Sequence, residues 1–201
     1  MKCTQLFREK YPVIFINGRR KSGKTYLALW LAENTNLLNR AKHIYIVSPT
    51  ILNQVAAFNK FNLRLSEKPI FIFDDPRKID YENDIKPKSL LIFDDTGRIN
   101  QTNFNKMLIK NRHQRISIIF IGHFSKQLQP EIRANIDYLF TFKPSKISET
   151  KTLFEEFLTT VFGYNEENKA KGILEHLQRY EFLIADIPNE TYSTGKLIKK
   201  H

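Results

Sequence analysis

Eight residues near the start of the sequence fit a template for binding phosphate groups. Residues 18–25 read GRRKSGKT, which matches G-x-x-x-x-G-K-[ST]. The template binds phosphate only between a strand and a helix, because the loop amides and the helix N-terminus must both face the ligand. The apolar run at 13–16 supplies the strand, and Leu27, Trp30 and Leu31 give the next segment one apolar helical face. The sequence therefore predicts a nucleotide-binding P-loop.

The residue types of this loop suit a nucleoside triphosphate held with Mg²⁺. Gly18 and Gly23 allow close approach of the backbone, Lys24 is expected to contact the β- and γ-phosphate oxygens, and Thr25 to hold Mg²⁺. The predicted binding residues are Gly18, Arg19, Arg20, Lys21, Ser22, Gly23, Lys24, Thr25 and Tyr26. For the three basic residues of the loop, a solvated surface is the alternative to a phosphate contact.

A P-loop enzyme also needs a carboxylate at the end of a neighbouring apolar strand to hold the Mg²⁺ shell. The string FDD follows an apolar run twice, at residues 73–75 and 93–95. We favour the second, because a helical segment and then an apolar strand with a polar end follow it. In this interpretation Asp94 serves the metal, and Asp95 orients or deprotonates the attacking water. The first FDD is interpreted as the end of an additional strand, followed by a turn.

A second acid beside the metal-binding aspartate distinguishes hydrolases from kinases. Small-molecule P-loop kinases transfer the phosphoryl group to a bound acceptor, whereas ATP-driven motors must activate water. The pair Asp94-Asp95 therefore favours an ATP-hydrolysing motor, although glutamate is commoner at the second position. Two alternatives stay open: a nucleotide or small-molecule kinase with an acceptor pocket, and a nucleotide-dependent switch with tight binding and negligible turnover.

The elements that must position these residues are indicated by apolar runs of four to six residues. Such runs indicate strands buried on both faces, and their alternation with helical segments indicates a mostly parallel sheet in a three-layer α/β domain. The runs lie at residues 13–16, 43–47, 70–73, 90–93, 116–121 and 138–142.

After Pro144 the sequence changes in character. Two helices separated by Gly163 and then a strand are predicted, at residues 148–162, 165–179 and 180–187. The polar and basic residues 191–201 are expected to be mobile. We expect a single domain over residues 1–201, with a core at 12–144 and a helical and strand appendage at 145–201.

Composition favours an intracellular protein that binds polyanions. Lysine and arginine number 32 against 21 acidic residues, and the formal charge of +11 favours nucleic acid through counterion release, with solubility as the alternative. Cys3 is the only cysteine, which excludes an intrachain disulfide. Because the start lacks an apolar signal core and no 18 apolar residues run together, we expect neither secretion nor membrane insertion.

From residue 110 onward, several motifs stand in a specific order. An arginine-containing segment precedes an apolar strand with a polar end, and the string IRANI and another apolar strand follow. The residues are Arg112, Arg115, His123, Ile132-Arg133-Ala134-Asn135-Ile136 and 138–142. This order resembles the FtsK/HerA superfamily of DNA-pumping ATPases, and more narrowly the genome-packaging ATPases of icosahedral viruses with an internal membrane, including the poxvirus type and those of archaeal turreted viruses. His123 stands where that family usually has glutamine.

The resemblance, which covers about residues 12–150, implies a RecA-like P-loop fold and a homo-oligomeric ring, a pentamer or hexamer. In such a ring one subunit's arginine reaches its neighbour's γ-phosphate. Arg112 has the best motif position for this role and Arg115 the next, with Arg98 and Arg133 as alternatives. A surface or DNA-facing cation is the other interpretation of each. His123 is expected to sense the γ-phosphate, with a purely structural histidine as the alternative.

The resemblance further implies ATP and Mg²⁺ as cofactors and double-stranded DNA as the cargo of a viral packaging motor. Such a motor grips phosphates rather than reading bases. The candidate DNA contacts are Lys126, Arg133, Lys143, Lys146, Lys196, Lys199 and Lys200. Another FtsK/HerA-type role, in conjugation or DNA-end processing, is the alternative.

Only 17 residues precede Gly18, so we expect no separate N-terminal targeting or membrane domain. The chain would then dock through a partner, a capsid or membrane protein at a packaging vertex. The implied location is the host cytoplasm during assembly, with association with the virion as a further expectation.

Overall fold

The structure, a computed structural model, contains a mostly parallel sheet of eight strands and describes residues 6–49, 68–96, 99, 101–123 and 128–197. The strands are β1 (Val13–Asn17), β2 (His43–Val47), β3 (Ile70–Phe73), β4 (Ser89–Asp94), β5 (Ser117–Gly122), β6 (Tyr138–Phe142), β7 (Glu181–Asp186) and β8 (Thr191–Lys196). The α-helices are α1 (Lys24–Asn34), α2 (Leu37–Arg40), α3 (Gln101–Gln114), α4 (Pro130–Arg133), α5 (Ile147–Leu153), α6 (Thr159–Phe162) and α7 (Glu167–His176). The predicted α/β class with a mostly parallel sheet is confirmed.

The chain divides into two compact units, and each is described by itself. The first unit consists of Met1–Val13 and Thr25–Ile121, and the second of Ile14–Lys24 and Gly122–His201. The expected boundary between a core and an appendage, after residue 144, does not coincide with this division. The single domain therefore stays a prediction.

The first unit is built on four parallel strands in the order β3-β2-β4-β5. Every residue of β4 and β5 is buried, as their continuous apolar runs predict. The register pairs Phe93 with Phe120 and Asp94 with Ile121, so both strands end at the same edge. Asp94 thereby lies at the carboxyl edge of a central strand.

Strand β3 departs from the expected burial. It pairs with β2 alone among the strands of this unit, and none of its four residues is buried. Ile72 is 57% exposed. The prediction that all the apolar runs are buried on both faces is wrong here, because an edge strand lacks a second neighbour to cover it.

Aromatic packing fixes α3 against the strands of the first unit. Phe104 of α3 is fully buried and contacts Phe93, Phe120 and Tyr81, with ring centroids 5.0 to 5.9 Å apart. Edge-to-face pairs at these separations add to the burial of apolar area. The Tyr81 hydroxyl donates to the carbonyl oxygen of Pro76, and burial raises the pKa of Tyr81 well above its ordinary value. The cluster holds β4, and with it Asp94, in a fixed position.

The second unit contains β1, β6, β7 and β8. Strands β1 and β6 are parallel, with Asn17 opposite Thr141, whereas β6-β7 and β7-β8 are antiparallel pairs. The final strand that we predicted is β7. The expectation that residues 191–201 are mobile is wrong for Thr191–Lys196, because β8 pairs with β7 along its whole length. Residues 198–201 lie outside the described part of the chain.

One bent helical segment packs on the strands of the second unit. Helix α5 continues through a π-helical turn (Phe154–Leu158) into α6, which ends at Gly163 with φ 90°. Phe157 of the π-helical turn lies 5.9 Å from the ring of Phe15 in β1. Both helices predicted after Pro144 are confirmed, the second as α7. Among the described residues, every helix falls short of the length and apolar character that crossing a membrane requires.

Candidate active site

The P-loop leaves β1 at Asn17 and enters α1 at Lys24, as the template predicts. Its two glycines are required by their surroundings. A Cβ on Gly18 would lie 2.9 Å from Cβ of Phe142, and Gly23 has φ 103°. Both values exclude an ordinary side chain, because the first is a clash and the second is a backbone region that L-residues rarely adopt. The loop therefore has the close backbone packing that a phosphate cradle needs.

Lys24 lies inside this loop and is buried. Its ammonium donates to the carbonyl oxygens of Gly18 at 2.7 Å and Arg19 at 3.0 Å, and it lies 3.2 Å from Nδ1 of His123. A buried ammonium needs such partners to offset the loss of water. The positive charge is thus held at the centre of the loop, where a bound anion would meet it.

The remaining loop residues differ in how far they are buried. Arg19, Arg20 and Lys21 are exposed, which leaves both interpretations of them open. Ser22 is buried, and among the described residues its hydroxyl has no hydrogen-bond partner. An unpartnered buried hydroxyl is costly, so this group is available to a ligand in the loop. Tyr26 follows on α1 with 37% of its surface exposed.

The predicted metal ligands meet in the first unit. The Thr25 hydroxyl donates to Oδ2 of Asp94 at 3.2 Å, and Asp94 is only 4% exposed. A hydroxyl and a carboxylate are hard oxygen ligands, and Mg²⁺ in nucleotide sites is commonly bound by one or two such groups together with substrate phosphates. The two side chains therefore fit the predicted Mg²⁺ role.

Asp95 directly follows β4 and is exposed. Its backbone has φ 52°, in the left-handed region, and its amide donates to the carbonyl oxygen of Ile121 in β5 at 3.0 Å. Aspartate is one of the few residue types besides glycine that adopt this conformation readily. Asp95 thus follows Asp94 at the carboxyl end of β4, and its role near the reacting water stays a prediction.

The first FDD string forms a turn, as interpreted. Asp75 caps a 3₁₀ turn (Pro76–Lys78) and accepts hydrogen bonds from the backbone and guanidinium of Arg77. These bonds, the side-chain one foremost, lower the pKa of Asp75 to about 2. Asp74 is exposed and lies 3.3 Å from the ammonium of Lys78. Asp74 and Asp75 thus form ion pairs with nearby basic residues, whereas Asp94 accepts a hydrogen bond from Thr25 of the P-loop.

His123 lies directly after β5, at the predicted sensor position. Its Nδ1 is 3.2 Å from the Gly18 carbonyl oxygen and 3.2 Å from the Lys24 ammonium. The ring thus contacts the P-loop within the second unit. This position is compatible with the predicted role of His123 as a sensor of the γ-phosphate.

The two leading arginine candidates lie at the opposite edge of the first unit's sheet from Asp94. Arg112 is in the last turn of α3, and Arg115 precedes β5 with φ 60°. Six residues of strand separate that edge from Asp94, which corresponds to roughly 20 Å. Neither guanidinium can therefore reach phosphate near Asp94 of its own chain, and a role in a neighbouring subunit stays a prediction. Arg112 lies 3.6 Å from Glu9.

Arg98 and Arg133 are the other two candidates for the arginine that acts on a neighbouring subunit. Arg98 lies outside the described residues. Arg133 is 15% exposed at its side chain, lies 2.9 Å from Glu156 and donates to the carbonyl oxygen of Leu128. It joins α4 to the π-helical turn, and this internal role argues against both an arginine finger and a DNA contact.

The candidate DNA contacts are only partly described. Lys143 donates to the carbonyl oxygen of Glu175, Lys196 lies 3.2 Å from Glu181, and Lys146 is exposed. Lys126, Lys199 and Lys200 lie outside the described residues. DNA contact stays a prediction for all of them.

A buried network behind the P-loop was not predicted. Asn17 is fully buried, and its amide donates to Oε1 of Glu149 at 3.2 Å. Glu149 is also buried, and its Oε2 accepts from the Ser145 amide at 3.2 Å. The network anchors the end of β1, one residue before Gly18, to helix α5. A polar residue at the end of an apolar strand was the one available signal for it.

Comparisons with solved structures identify proteins that share the fold. In fold, the chain is similar to the genome packaging NTPase B204 from Sulfolobus turreted icosahedral virus 2 in complex with sulfate, with a TM-score of 0.69, 19% identity, and coverage of 96% of this chain and 99% of that chain. It is equally similar to B204, the DNA-packaging ATPase from Sulfolobus turreted icosahedral virus, with a TM-score of 0.69, 21% identity, and coverage of 94% and 98%. VirB4 of Thermoanaerobacter pseudethanolicus has a TM-score of 0.57 at 9% identity, with coverage of 100% and 93%.

Sequence comparison gives a narrower result. No curated protein sequence matches the chain. Residues 1–156 match the family described as Poxvirus A32 protein, and this match includes the P-loop, both FDD strings, His123 and the IRANI string. The resemblance to the poxvirus type of ATPase is thereby confirmed, and the chain belongs to the poxvirus A32 protein family.

Proposed function

We propose that the chain hydrolyses ATP to ADP and phosphate to drive packaging of double-stranded DNA into a viral capsid. The observation that carries the proposal is the 3.2 Å hydrogen bond between Thr25 and Asp94, because it joins the last residue of the P-loop template to the second FDD string. Membership of the poxvirus A32 family supports the same function. So does the fold shared with structures described as genome-packaging NTPases and determined with AMPPCP and ATP-gammaS.

Lys24 would be the first group to meet the triphosphate. Its ammonium now donates to the carbonyl oxygens of Gly18 and Arg19. Nucleotide binding would replace these neutral acceptors with β- and γ-phosphate oxygens, to which a charged donor binds more strongly. Thr25 and Asp94 would hold Mg²⁺, which neutralises charge on the same phosphates when bound. Asp95 would orient or deprotonate the attacking water, and His123 would sense the γ-phosphate.

The active form would be a homo-oligomeric ring. Arg112, or else Arg115, would reach the γ-phosphate held by the neighbouring subunit and stabilise charge in the transition state. Their position about 20 Å from Asp94 argues against action on phosphate held by the same chain. Basic side chains would grip DNA phosphates without reading the sequence, and a capsid or membrane vertex protein would dock the ring.

The test is Mg²⁺-dependent release of phosphate from ATP, measured with and without long duplex DNA. We expect DNA to change the rate, and Lys24→Ala and Asp95→Asn to abolish hydrolysis. Asp74→Asn, which removes a carboxylate of the other FDD string, is the matched control and should retain the wild-type rate. A rate of ATP hydrolysis that does not change with DNA would contradict the proposed function as a DNA translocase.

Two further outcomes would favour the alternatives. Phosphoryl transfer only when a small acceptor is added would indicate a kinase. Tight ATP binding with negligible turnover, with and without DNA, would indicate a switch protein.

A further inference from the structure

A cavity of about 510 Å³ lies beside the P-loop in the second unit. Arg19, Arg20, Lys21 and Ser22 of the loop line one side, and the turn at residues 177–181 lines the other. This volume lies within the range of small-molecule clefts. The wall formed by the loop belongs to the P-loop template, whereas the wall formed by residues 177–181 belongs to no motif that the sequence analysis identified.

The second wall presents an aromatic ring with a cation over it. The guanidinium carbon of Arg179 lies 4.9 Å from the ring centroid of Tyr180. Arg179 is exposed and Tyr180 is partly buried. Tyr180 has φ 69°, a conformation that L-residues other than asparagine and aspartate rarely adopt. A bulky residue is rarely found in this conformation, and here Tyr180 lies in the wall of the cavity.

The turn that carries this pair is braced on both sides. The backbone amide of Gln178 donates to Oε2 of Glu181 at 2.9 Å. The ammonium of Lys196 donates to Oε1 of the same carboxylate at 3.2 Å. The Leu197 amide donates to the carbonyl oxygen of Tyr180 at 3.0 Å. The backbone that carries the ring is therefore fixed before a ligand arrives, which lowers the entropic cost of binding.

The ring also lies directly against the P-loop. A Cβ added at Gly23 would be 3.5 Å from Cδ1 of Tyr180, which is van der Waals contact. When the loop holds phosphates, the sugar and base of the same nucleotide must lie beside it. The cavity bounded by the loop and by Tyr180 is adjacent to that place.

The chemistry of the cavity fits a base joined to anionic phosphates. Its cationic lining consists of Arg19, Arg20, Lys21, Lys143 and Arg179, and the acidic Glu181 is bound to Lys196. Phe142 and Leu177, both buried, add apolar contacts. An inorganic anion would need only the cations, whereas a flat heterocycle also needs a ring or guanidinium plane on which to stack.

We propose that the Arg179-Tyr180 pair is the platform on which the nucleotide base stacks while the P-loop holds its phosphates. The proposal rests on the proposed function, since it requires that the loop bind a nucleotide. It assigns base recognition to residues 177–181, outside the P-loop template and outside the segment matched to the A32 family.

The test compares ATP with inorganic tripolyphosphate, which has the phosphates but no base, by calorimetry in the presence of Mg²⁺. For Tyr180→Ala we expect ATP affinity to fall roughly 5- to 100-fold, and tripolyphosphate affinity to change less than about twofold. Tyr180→Phe keeps the ring and should retain ATP affinity. Arg179→Ala alters an exposed side chain without threatening the fold, and should also weaken ATP more than tripolyphosphate. If Tyr180→Ala does not fold, the comparison of ATP and tripolyphosphate for Arg179→Ala decides the test.

Unchanged ATP affinity in both alanine variants would overturn the proposal. So would an equal loss for ATP and tripolyphosphate, because that result indicates a structural effect on the loop. A wild-type protein that binds neither ligand would overturn the proposed function itself, and the two failures are thereby distinguished.

Discussion

The ammonium of Lys24 lies 3.2 Å from Nδ1 of His123, and both groups contact the carbonyl oxygen of Gly18. The contacts of Nδ1 exclude one another. It can accept a hydrogen bond from Lys24 only when unprotonated, and it can donate to Gly18 only when protonated. A ligand that draws Lys24 toward phosphate therefore changes the hydrogen bond available to His123.

We accordingly expect His123→Ala to lower kcat for ATP hydrolysis about 10- to 100-fold, with a small change in KM. His123→Gln, which keeps a hydrogen-bonding group, should retain more activity. His176→Ala is the matched control in the same unit, because His176 is exposed and its ring bonds locally to the carbonyl oxygen of Gly172. Equal activity of the His123→Ala and His176→Ala proteins would argue for a structural role of His123.

The hydrogen bond between Thr25 and Asp94 leads to a second prediction. Asp94→Asn should lower hydrolysis about 100-fold or more and raise the Mg²⁺ concentration needed for half-maximal rate, because an amide is a weaker ligand than a carboxylate. Asp74→Asn should leave the Mg²⁺ titration unchanged. Steady-state rates over a Mg²⁺ series measure both. If Asp74→Asn has the larger effect, the choice between the FDD strings is wrong.

The position of Arg112 predicts complementation between inactive variants. Arg112→Ala should lower hydrolysis about 10³-fold or more without loss of nucleotide binding, since the group acts on a neighbour's phosphate. Mixing Arg112→Ala with Lys24→Ala protein should restore part of the rate, because some interfaces then join an intact loop to an intact arginine. Lys110→Ala, an exposed cation on the same helix, is the control. A mixture that stays inactive would point to Arg115 or to no arginine in trans.

The buried carboxylate of Glu149 gives a prediction about stability. Glu149→Ala leaves the amides of Asn17 and Ser145 without this acceptor, and should reduce the free energy of unfolding by about 1–3 kcal/mol. Glu155→Ala removes an exposed carboxylate on the same helical segment, 3.7 Å from Lys151, and should cost less than about 1 kcal/mol. Denaturant unfolding compares the two. A similar small cost for both would mean that the network adds little.

Much of the fold could be predicted because it depends on apolar runs. Strands β2, β3 and β6 have the predicted bounds, and β1, β4 and β5 differ by one residue at one or both ends. Strand β8 was missed, because its residues are mostly polar and exposed and its pairing depends on backbone bonds, which leave no pattern in side chains. The exposure of β3 was missed for a related reason, since an apolar run does not indicate how many neighbours the strand has.

The candidate site divides in the same way. Thr25 and Asp94 could be predicted, because a template and an apolar strand each mark a carboxyl edge of the sheet. Glu149 and Tyr180 could not, because no motif marks either residue. Their places beside the P-loop depend on the pairing of β1 with β6, more than 100 residues apart, and of β6 with β7.

The packing around Gly23 has a consequence for how the protein is made. A side chain at this glycine, early in the chain, would meet Tyr180 and Leu197, and one at Gly18 would meet Phe142. Because synthesis runs from the N-terminus, the loop emerges from the ribosome long before the residues that hold its shape. We therefore expect the loop to reach its final packing only after β8 has been synthesised and added to the sheet, and a chain that ends before β8 to bind ATP more weakly.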